Sequence, residues 1–146
     1  MTNLSKTCLL IDDDMDDQEI FVLALEKVDK EYQCIIANNG HEGLKYLNNK
    51  SNPLPSFIFL DLNMPLMNGK ECLVEIKKHT YLKHIPVIIY TTSSLQDDII
   101  QTRKLGASDF ITKPSSIPEL SVRLAKAFHV FDQKCRAELE YAAKKM

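Results

Sequence analysis

Five short segments rich in apolar residues alternate with longer amphipathic stretches along most of the chain. Each segment is bounded by polar or turn-forming residues, a pattern that predicts β-strands. The predicted strands are Cys8–Ile11, Tyr32–Ala37, Ser56–Leu60, Val87–Tyr90 and Asp109–Thr112. Because the third and fourth are apolar at almost every position, we expect them to be buried on both faces, as in a parallel sheet.

The stretches between these strands place apolar residues at helical spacing. After the first strand, such residues recur up to Val28, behind a predicted N-cap at Asp14. Further helices are predicted over His41–Leu47, Lys70–His79 and Leu95–Leu105, with a last one from about Ser116. Ser116 and Glu119 have the spacing of a capping box, and Gly106 is a natural stop for the fourth helix.

Five strand–helix units predict an α/β fold in which a five-stranded parallel sheet is covered by helices on both faces. Right-handed crossovers between parallel strands then give a doubly wound, three-layer sandwich. The 146 residues fit one domain. We expect residues 1–146 to form it, with a core over about 6–131 and a helical C-terminal extension over 132–146. In such sheets the functional site lies beyond the carboxyl ends of the strands.

Polar residues follow four of the predicted strands at that edge. Asp12 and Asp13 follow the first strand, Asp61 the third, Thr91 the fourth and Lys113 the fifth. Three carboxylates in one pocket repel each other unless cations intervene, and Lys113 supplies a single positive charge. An all-oxygen donor set with room for water suits Mg²⁺, with Mn²⁺ as an alternative.

Asp61 stands alone after an apolar strand and is the best candidate for a nucleophile towards phosphorus. Carboxylates can attack phosphorus, and phosphoryl transfer depends mainly on alignment and charge stabilisation. Lys113 and a divalent cation would stabilise oxygens of the transferring group, and Thr91 would donate a hydrogen bond to another. The strand ends therefore hold the parts needed to form an acyl phosphate.

The same residues lie in four longer motifs, Leu10–Asp14, Leu60–Gly69, Pro86–Thr91 and Gly106–Pro114. In order and separation, these motifs strongly resemble the CheY-like receiver domains of bacterial two-component response regulators, over roughly residues 6–131. The resemblance implies a flavodoxin-like sheet with strand order 2-1-3-4-5 and five helices. It also implies a signalling phosphoprotein rather than an enzyme, without an output domain. The run Thr91–Ser94 and the short tail are similar to single-domain regulators, some of which partner phytochrome-type kinases.

The resemblance implies a role for each matched residue around the metal. Asp61 matches the phosphorylated aspartate, and Asp13 matches the direct Mg²⁺ ligand. Asp12 matches the acid that holds the metal through water, and Asn63 matches the residue whose backbone carbonyl binds it.

Three further matched positions carry the response to phosphorylation. Lys113 matches the lysine that binds the phosphoryl group, Thr91 the switch hydroxyl and Phe110 the switch aromatic. From sequence physics alone, an aromatic residue on a short strand is more often a core residue, but the resemblance reverses that preference and favours the switch role for Phe110. The bond between Lys113 and Pro114 matches one that is usually cis in the family.

The implied partners are proteins. A sensor histidine kinase or a phosphotransfer protein would donate the phosphoryl group, and a downstream protein that the sequence does not name would bind the modified form. A formal net charge of −2 gives no reason to expect direct nucleic-acid binding, and the apolar runs are too short to span a membrane. Four cysteines without a CxxC pair are typical of reduced thiols in a cytoplasmic protein. We expect a monomer or a weak homodimer.

Two other functions fit part of the pattern. A phosphohydrolase with Asp61 as nucleophile usually carries a second acid two residues later, where this chain has Asn63. A receiver that is never phosphorylated would serve as a binding module, and such a protein is expected to lack some of the acids or the lysine.

Two charged stretches have simpler interpretations. The acids around the start of the first helix read as a capped, solvated helix start without chemistry: Asp14, Asp16 and Asp17. The basic tail from Lys134 to Lys145 reads as a solvated helical extension or as a contact with a partner.

Overall fold

The computed structural model describes residues 6–144, with side chains from residue 6 to residue 132. Its strands are β1 (Thr7–Ile11), β2 (Gln33–Ala37), β3 (Phe57–Leu60), β4 (Val87–Thr91) and β5 (Asp109–Thr112). Its helices are α1 (Met15–Val28), α2 (Gly40–Asn48), α3 (Gly69–Lys78), α4 (Gln96–Lys104) and α5 (Ile117–Lys144). The predicted strand–helix units are confirmed, and the predicted ranges differ from the observed ones by no more than one residue at either end.

The five strands are parallel and lie in the order β2-β1-β3-β4-β5, as the resemblance implies. The register pairs Ile11 with Leu60 across β1 and β3, and Thr91 with Thr112 across β4 and β5. Because parallel strands end at the same edge of a sheet, the residues that follow these four strands emerge close together.

Alternate side chains of the sheet enter two separate cores. On one face, Leu9 and Ile11 of β1 pack with apolar residues of α2 and α3. On the other face, Cys8 and Leu10 pack with apolar residues of α1 and α5. This alternation follows the two-residue period of a strand. Each fully buried leucine or isoleucine contributes roughly 1.5–3 kcal/mol relative to exposure, so both outer layers are firmly attached to the sheet.

Side chains cap the helices that begin near the strand ends. Asp14 Oδ1 accepts a hydrogen bond from the N–H of Asp17 at 3.0 Å, which confirms the predicted cap of α1. The helix α3 begins with a complete capping box. Ser116 Oγ accepts a hydrogen bond from the N–H of Glu119 at 3.3 Å, as the capping-box spacing predicts for α5. These bonds pair N–H groups that a helix start otherwise leaves unsatisfied, and they fix the loops that carry the site.

Within residues 6–144, no helix is both long and apolar enough to cross a bilayer. The side chains of the basic tail from Lys134 to Lys145 lie outside the described residues, so both interpretations of that tail stay predictions. The division into a core over residues 6–131 and an extension over 132–146 also stays a prediction.

Candidate functional site

The structure brings together charged residues from separate strand ends at the carboxyl edge of the sheet. Lys113, just beyond β5, places its ammonium nitrogen Nζ 2.8 Å from Asp12 Oδ2 and 3.5 Å from Asp61 Oδ2. The ammonium also lies 5.3 Å from the centroid of the Tyr90 ring. Since Asp12 follows β1 and Asp61 follows β3, one lysine bridges the ends of two adjacent strands.

Asp13 completes a cluster of three carboxylates with Asp12 and Asp61. One carboxylate oxygen from each residue lies within 4.8 Å of the others. Asp12 and Asp61 are buried, whereas Asp13 is exposed, so water reaches the cluster from the side of Asp13. This donor set fits a hard divalent cation that keeps part of its water shell. Asn63 lies beside the cluster, with its backbone nitrogen 3.4 Å from Asp61 Oδ1, and its role as a carbonyl ligand stays a prediction.

Burial and ion pairing oppose each other in this cluster. Burial raises the pKa of Asp12, although Lys113 and the N–H of Asp14 favour its charged form. Burial would lower the pKa of Lys113, but its contacts with Asp12 and Asp17 and the charge of Asp61 raise it. Lys113 is therefore a permanent cation at neutral pH, and the clustered carboxylates still exceed its single charge.

Two buried oxygens of the site, Thr91 Oγ1 and Asp12 Oδ2, form no hydrogen bond within residues 6–132. For Asp12, the contact with Lys113 has the distance of an ion pair without the angle of a hydrogen bond. Thr91 is fully buried at the end of β4, and its backbone oxygen accepts a hydrogen bond from the N–H of Lys113 at 2.7 Å. Because buried polar atoms are normally paired, Asp12 Oδ2 suits a cation and the Thr91 hydroxyl suits an anionic oxygen.

Asp17 is a residue of the site that no sequence pattern indicates. Its Oδ2 accepts a hydrogen bond from Lys113 Nζ at 2.7 Å. The interpretation of Asp17 as a first-turn acid is correct, but its interpretation as a merely solvated residue is wrong. Gln18 also supports the site, because its Nε2 donates to the backbone oxygen of Asp12 at 2.7 Å and to Asn38 Oδ1 at 2.9 Å. Asp17 and Lys113 are 96 residues apart, so spacing within one strand–helix unit does not reveal their contact.

Phe110 on β5 packs at the edge of the core that α2 and α3 cover, and it is partly buried there. A small cavity of about 10 Å³ lies beside it, lined in part by Ile99, Thr102 and Arg103 of α4. This placement supports the core interpretation of Phe110, and its switch role stays a prediction.

The loop after β5 departs from one expectation. The described residues contain no cis peptide bond, so the Lys113–Pro114 bond is trans and the expected cis bond is wrong. The two isomers of an X-Pro bond differ by only about 0.5–1 kcal/mol, so a matching motif does not decide between them.

The start of α3 packs directly against the backbone of Asp61. A Cβ atom on Gly69 would collide with the carbonyl oxygen of Asp61 and would lie 2.7 Å from Leu62 Cα. The N–H of Gly69 donates to the backbone oxygen of Leu62 at 2.9 Å. The missing side chain therefore lets this helix start support the backbone that carries Asp61.

Comparison with known proteins identifies the family. The family model of the response regulator receiver domain matches residues 8–125. The chain belongs to this receiver family. The response regulator Rcp1 of Synechocystis sp. is 32% identical to this receiver over 123 residues, which cover 82% of this chain and 84% of Rcp1. The phosphate regulon transcriptional regulatory protein PhoB of Pseudomonas aeruginosa is 33% identical over 121 residues, which cover 83% of this chain but only 51% of PhoB.

Solved receiver structures have the same fold. The Mn²⁺-bound form of Rcp1 has a TM-score of 0.73 at 31% identity, covering 82% of this chain and 89% of that one. The phosphorylated cyanobacterial phytochrome response regulator RcpA has a TM-score of 0.74 at 31% identity, and the match covers 83% of this chain and 89% of the RcpA chain. The bacteriophytochrome response regulator RtBRR has a TM-score of 0.72 at 28% identity, and the match covers 94% of this chain and 96% of the RtBRR chain. Together with the acid cluster, the Mn²⁺-bound relative supports a divalent cation as a ligand of this receiver.

Proposed function

We propose that this receiver accepts a phosphoryl group on Asp61 and thereby changes its binding to a downstream protein. The contact of the Lys113 ammonium with both Asp12 and Asp61 carries the proposal, because it places a permanent cation beside the nucleophile. Asp13 adds a third oxygen donor within 4.8 Å. Receiver domains accept phosphoryl groups from histidine kinases, and membership of that family supports the same role here.

The proposed transfer needs an attacking carboxylate, a leaving group and charge stabilisation. A carboxylate oxygen of Asp61 forms a bond to phosphorus while the bond from phosphorus to the donor's histidine nitrogen breaks, and the electron pair leaves on that nitrogen. Lys113 donates an N–H to one oxygen of the transferring group, and the Thr91 hydroxyl donates to another. A Mg²⁺ ion, or Mn²⁺ in its place, held by the three clustered acids and the backbone carbonyl of Asn63 would neutralise further charge.

The response to phosphorylation is proposed to pass through Thr91 and Phe110. The buried Thr91 hydroxyl has no other partner within residues 6–132, so a phosphoryl oxygen on Asp61 would attract it. Movement of the β4 end would change the packing around Phe110, which lies beside a small cavity under α4. The surface formed by α4, β5 and α5 would then shift between two packed arrangements with different affinities for a partner.

The proposed phosphoryl donor is a sensor histidine kinase or a phosphotransfer protein. Response regulators named for phytochromes are among the similar structures, so we propose a phytochrome-type kinase as the donor class. The protein is proposed to act in the cytoplasm as a monomer or weak homodimer, and to bind proteins rather than nucleic acid.

Two observations favour this function over the alternatives. Membership of the receiver family favours a signalling protein over a phosphohydrolase with an Asp nucleophile. The clustered acids and Lys113 favour a phosphorylated receiver over one that serves only as a binding module.

Incubation with acetyl phosphate and Mg²⁺ tests the proposal. Intact-mass measurement is expected to show the addition of one phosphoryl group, and this addition is expected to disappear in Asp61→Asn or when Mg²⁺ is chelated. Asp97→Asn is the control, because it removes an exposed acid from the first turn of α4, and it is expected to be labelled like the wild type. Absence of labelling in the wild type, or equal labelling of Asp61→Asn, would contradict the proposal.

A further inference from the structure

The ammonium group of Lys113 makes its shortest polar contact with Asp17, a residue outside the acid cluster. Its Nζ lies 2.7 Å from Asp17 Oδ2, compared with 2.8 Å from Asp12 Oδ2 and 3.5 Å from Asp61 Oδ2. The contacts with Asp17 and Asp61 have the geometry of hydrogen bonds, whereas the contact with Asp12 does not. Asp17 and Asp12 therefore share the Lys113 ammonium at almost equal distances.

The start of α1 holds Asp17 in place. Its N–H donates to Asp14 Oδ1 at 3.0 Å, so its backbone is fixed by the helix cap. Asp17 also lies in the first turn, where the positive end of the helix stabilises a carboxylate. The side chain of Lys113 is long and flexible, so its ammonium needs an anchored acceptor to stay in one position.

The two acids nearest the ammonium, Asp12 and Asp17, differ in their exposure to solvent. The Asp12 side chain is completely buried, whereas the Asp17 side chain is 29% exposed. Asp17 therefore holds the ammonium between its own carboxylate and that of Asp12, at 3.5 Å from Asp61 Oδ2. Without this attraction, the ammonium would move from 3.5 Å into a closer pairing with Asp61, whose oxygens a divalent cation needs.

We propose that Asp17 is a positioning residue for phosphoryl transfer, a role that rests on the function proposed above. Its carboxylate holds Lys113 Nζ 3.5 Å from Asp61 Oδ2, where the ammonium can donate to an entering phosphoryl group without closing on the Asp61 oxygen that a cation needs. Asp17 acts through Lys113 and does not itself touch the transferred group.

Three substitutions in the first turn of α1 separate this contact from a general effect of charge. Asp17→Asn replaces the charged carboxylate acceptor by a neutral amide. Asp16→Asn is the matched control, because Asp16 is an exposed acid in the same turn. Both variants lose one negative charge, so any difference between them reports the contact with Lys113. Asp17→Glu keeps a carboxylate and is expected to retain much of the contact.

Lysine side-chain ¹H–¹⁵N spectra of the metal-free protein measure the contact directly. An ammonium group held by hydrogen bonds exchanges its protons slowly enough to be detected, and the Lys113→Arg spectrum assigns the signal. We expect a protected Lys113 signal at one chemical shift in the wild type, in Asp16→Asn and in Asp17→Glu, and a displaced signal in Asp17→Asn, because the ammonium then changes its acceptor. Backbone spectra of the same samples establish that each variant is folded.

Two further measurements connect the contact to function. At saturating Mg²⁺, phosphorylation by acetyl phosphate is expected to be about tenfold slower in Asp17→Asn than in Asp16→Asn, because a charge-assisted hydrogen bond contributes about this factor. Titration with Mn²⁺ followed by electron paramagnetic resonance is expected to show weaker binding in Asp17→Asn than in Asp16→Asn, because the ammonium then competes with the cation for Asp61.

The outcomes distinguish this inference from the function on which it rests. If the wild type is not labelled, both fail. If the wild type is labelled but Asp17→Asn matches Asp16→Asn in ammonium signal, Mn²⁺ binding and phosphorylation rate, the positioning role alone is overturned. An Asp17→Glu variant as slow as Asp17→Asn would also count against it, because a carboxylate would then be present without effect.

Discussion

Thr91 and Thr102 are both fully buried, but their hydroxyl groups have different surroundings. Thr102 Oγ1 donates to the backbone oxygen of Asp98 at 2.7 Å, whereas Thr91 Oγ1 has no partner within the described side chains. An unpaired buried hydroxyl costs roughly 1–3 kcal/mol, and a hydrogen-bonded one contributes about 1 kcal/mol to stability. Removing the Thr91 hydroxyl and removing the Thr102 hydroxyl should therefore change the free energy of unfolding in opposite directions.

We expect Thr91→Val to raise the free energy of unfolding of the metal-free protein by about 1 kcal/mol, because a methyl group replaces an unpaired hydroxyl. Thr102→Val is the matched control and is expected to lower it by about 1 kcal/mol, because a hydrogen bond is lost. Urea unfolding measures both changes. A Thr91→Val variant less stable than the wild type would mean that this hydroxyl is paired in solution.

At the scale of elements, Asp98 joins α4 to α3 and to the loop after β4. Lys70 Nζ, in the first turn of α3, donates to Asp98 Oδ1 at 2.7 Å and to Gln101 Oε1 at 2.7 Å. Ser93 Oγ donates to Asp98 Oδ2 at 2.7 Å. Hydrogen bonds from Lys70 and Ser93 lower the pKa of Asp98 and favour its charged form. Since the N-cap residue Leu95 provides no side-chain hydrogen bond, these contacts anchor the start of α4.

Asp98→Asn is expected to lower the free energy of unfolding by about 1 kcal/mol, because it removes the carboxylate charge and one of the two oxygens that accept from Lys70 and Ser93. Amide hydrogen exchange in α4 is expected to become faster for the same reason. Asp97→Asn controls for the helix dipole, since it removes an exposed acid from the same turn. Equal effects of the two substitutions would mean that the contacts of Asp98 add nothing measurable.

At the scale of the whole molecule, cation binding and folding are linked through the acid cluster. A ligand that binds only the native state stabilises it by about 2.7 kcal/mol at 100 times its dissociation constant. We expect such a concentration of Mg²⁺ to raise the free energy of unfolding of the wild type by about this amount. Asp13→Asn should respond much less, because it replaces a charged carboxylate of the cluster by a neutral amide, whereas Asp16→Asn should respond almost fully. An undiminished Mg²⁺ effect in Asp13→Asn, measured by urea unfolding, would argue against the cluster as the binding site.

Asp12 gives this linkage a pH dependence. Burial raises its native pKa above the usual 3.8. At pH values just above 3.8, Asp12 therefore keeps its proton in the native protein but has lost it in the unfolded chain. In the metal-free protein, ionisation of Asp12 therefore lowers the free energy of unfolding as the pH rises above 3.8. In Asp12→Asn this pH-dependent fall in stability is expected to disappear. Cation binding needs the carboxylate, so the stabilisation by Mg²⁺ is expected to weaken as the pH falls into the same window. A Mg²⁺ effect that is constant down to pH 3.8 would contradict the raised pKa.

The fold and the strand-end chemistry were predictable because they are local properties of the chain. An apolar run such as Phe57–Leu60 forms a buried strand wherever it is placed in a parallel sheet, and the residue after it, Asp61, emerges at the carboxyl edge. The same reasoning places Lys113 after β5 and Asp12 after β1. The N-cap at Asp14 was also predictable, because a cap involves residues within one helical turn.

The partners of these side chains were decided by the tertiary structure. Periodicity indicates which face of a helix or strand is apolar. It does not indicate which residues of other elements pack against that face. The pairing of Asp17 with Lys113 depends on how α1 packs beside the sheet edge, and that of Lys70 with Asp98 depends on how α3 and α4 lie together. The sequence by itself therefore determined the order of the elements and the chemical groups at the strand ends. Packing across distant parts of the chain decided which acid holds the lysine and which hydroxyl stays unpaired, because those contacts exist only once the layers are assembled.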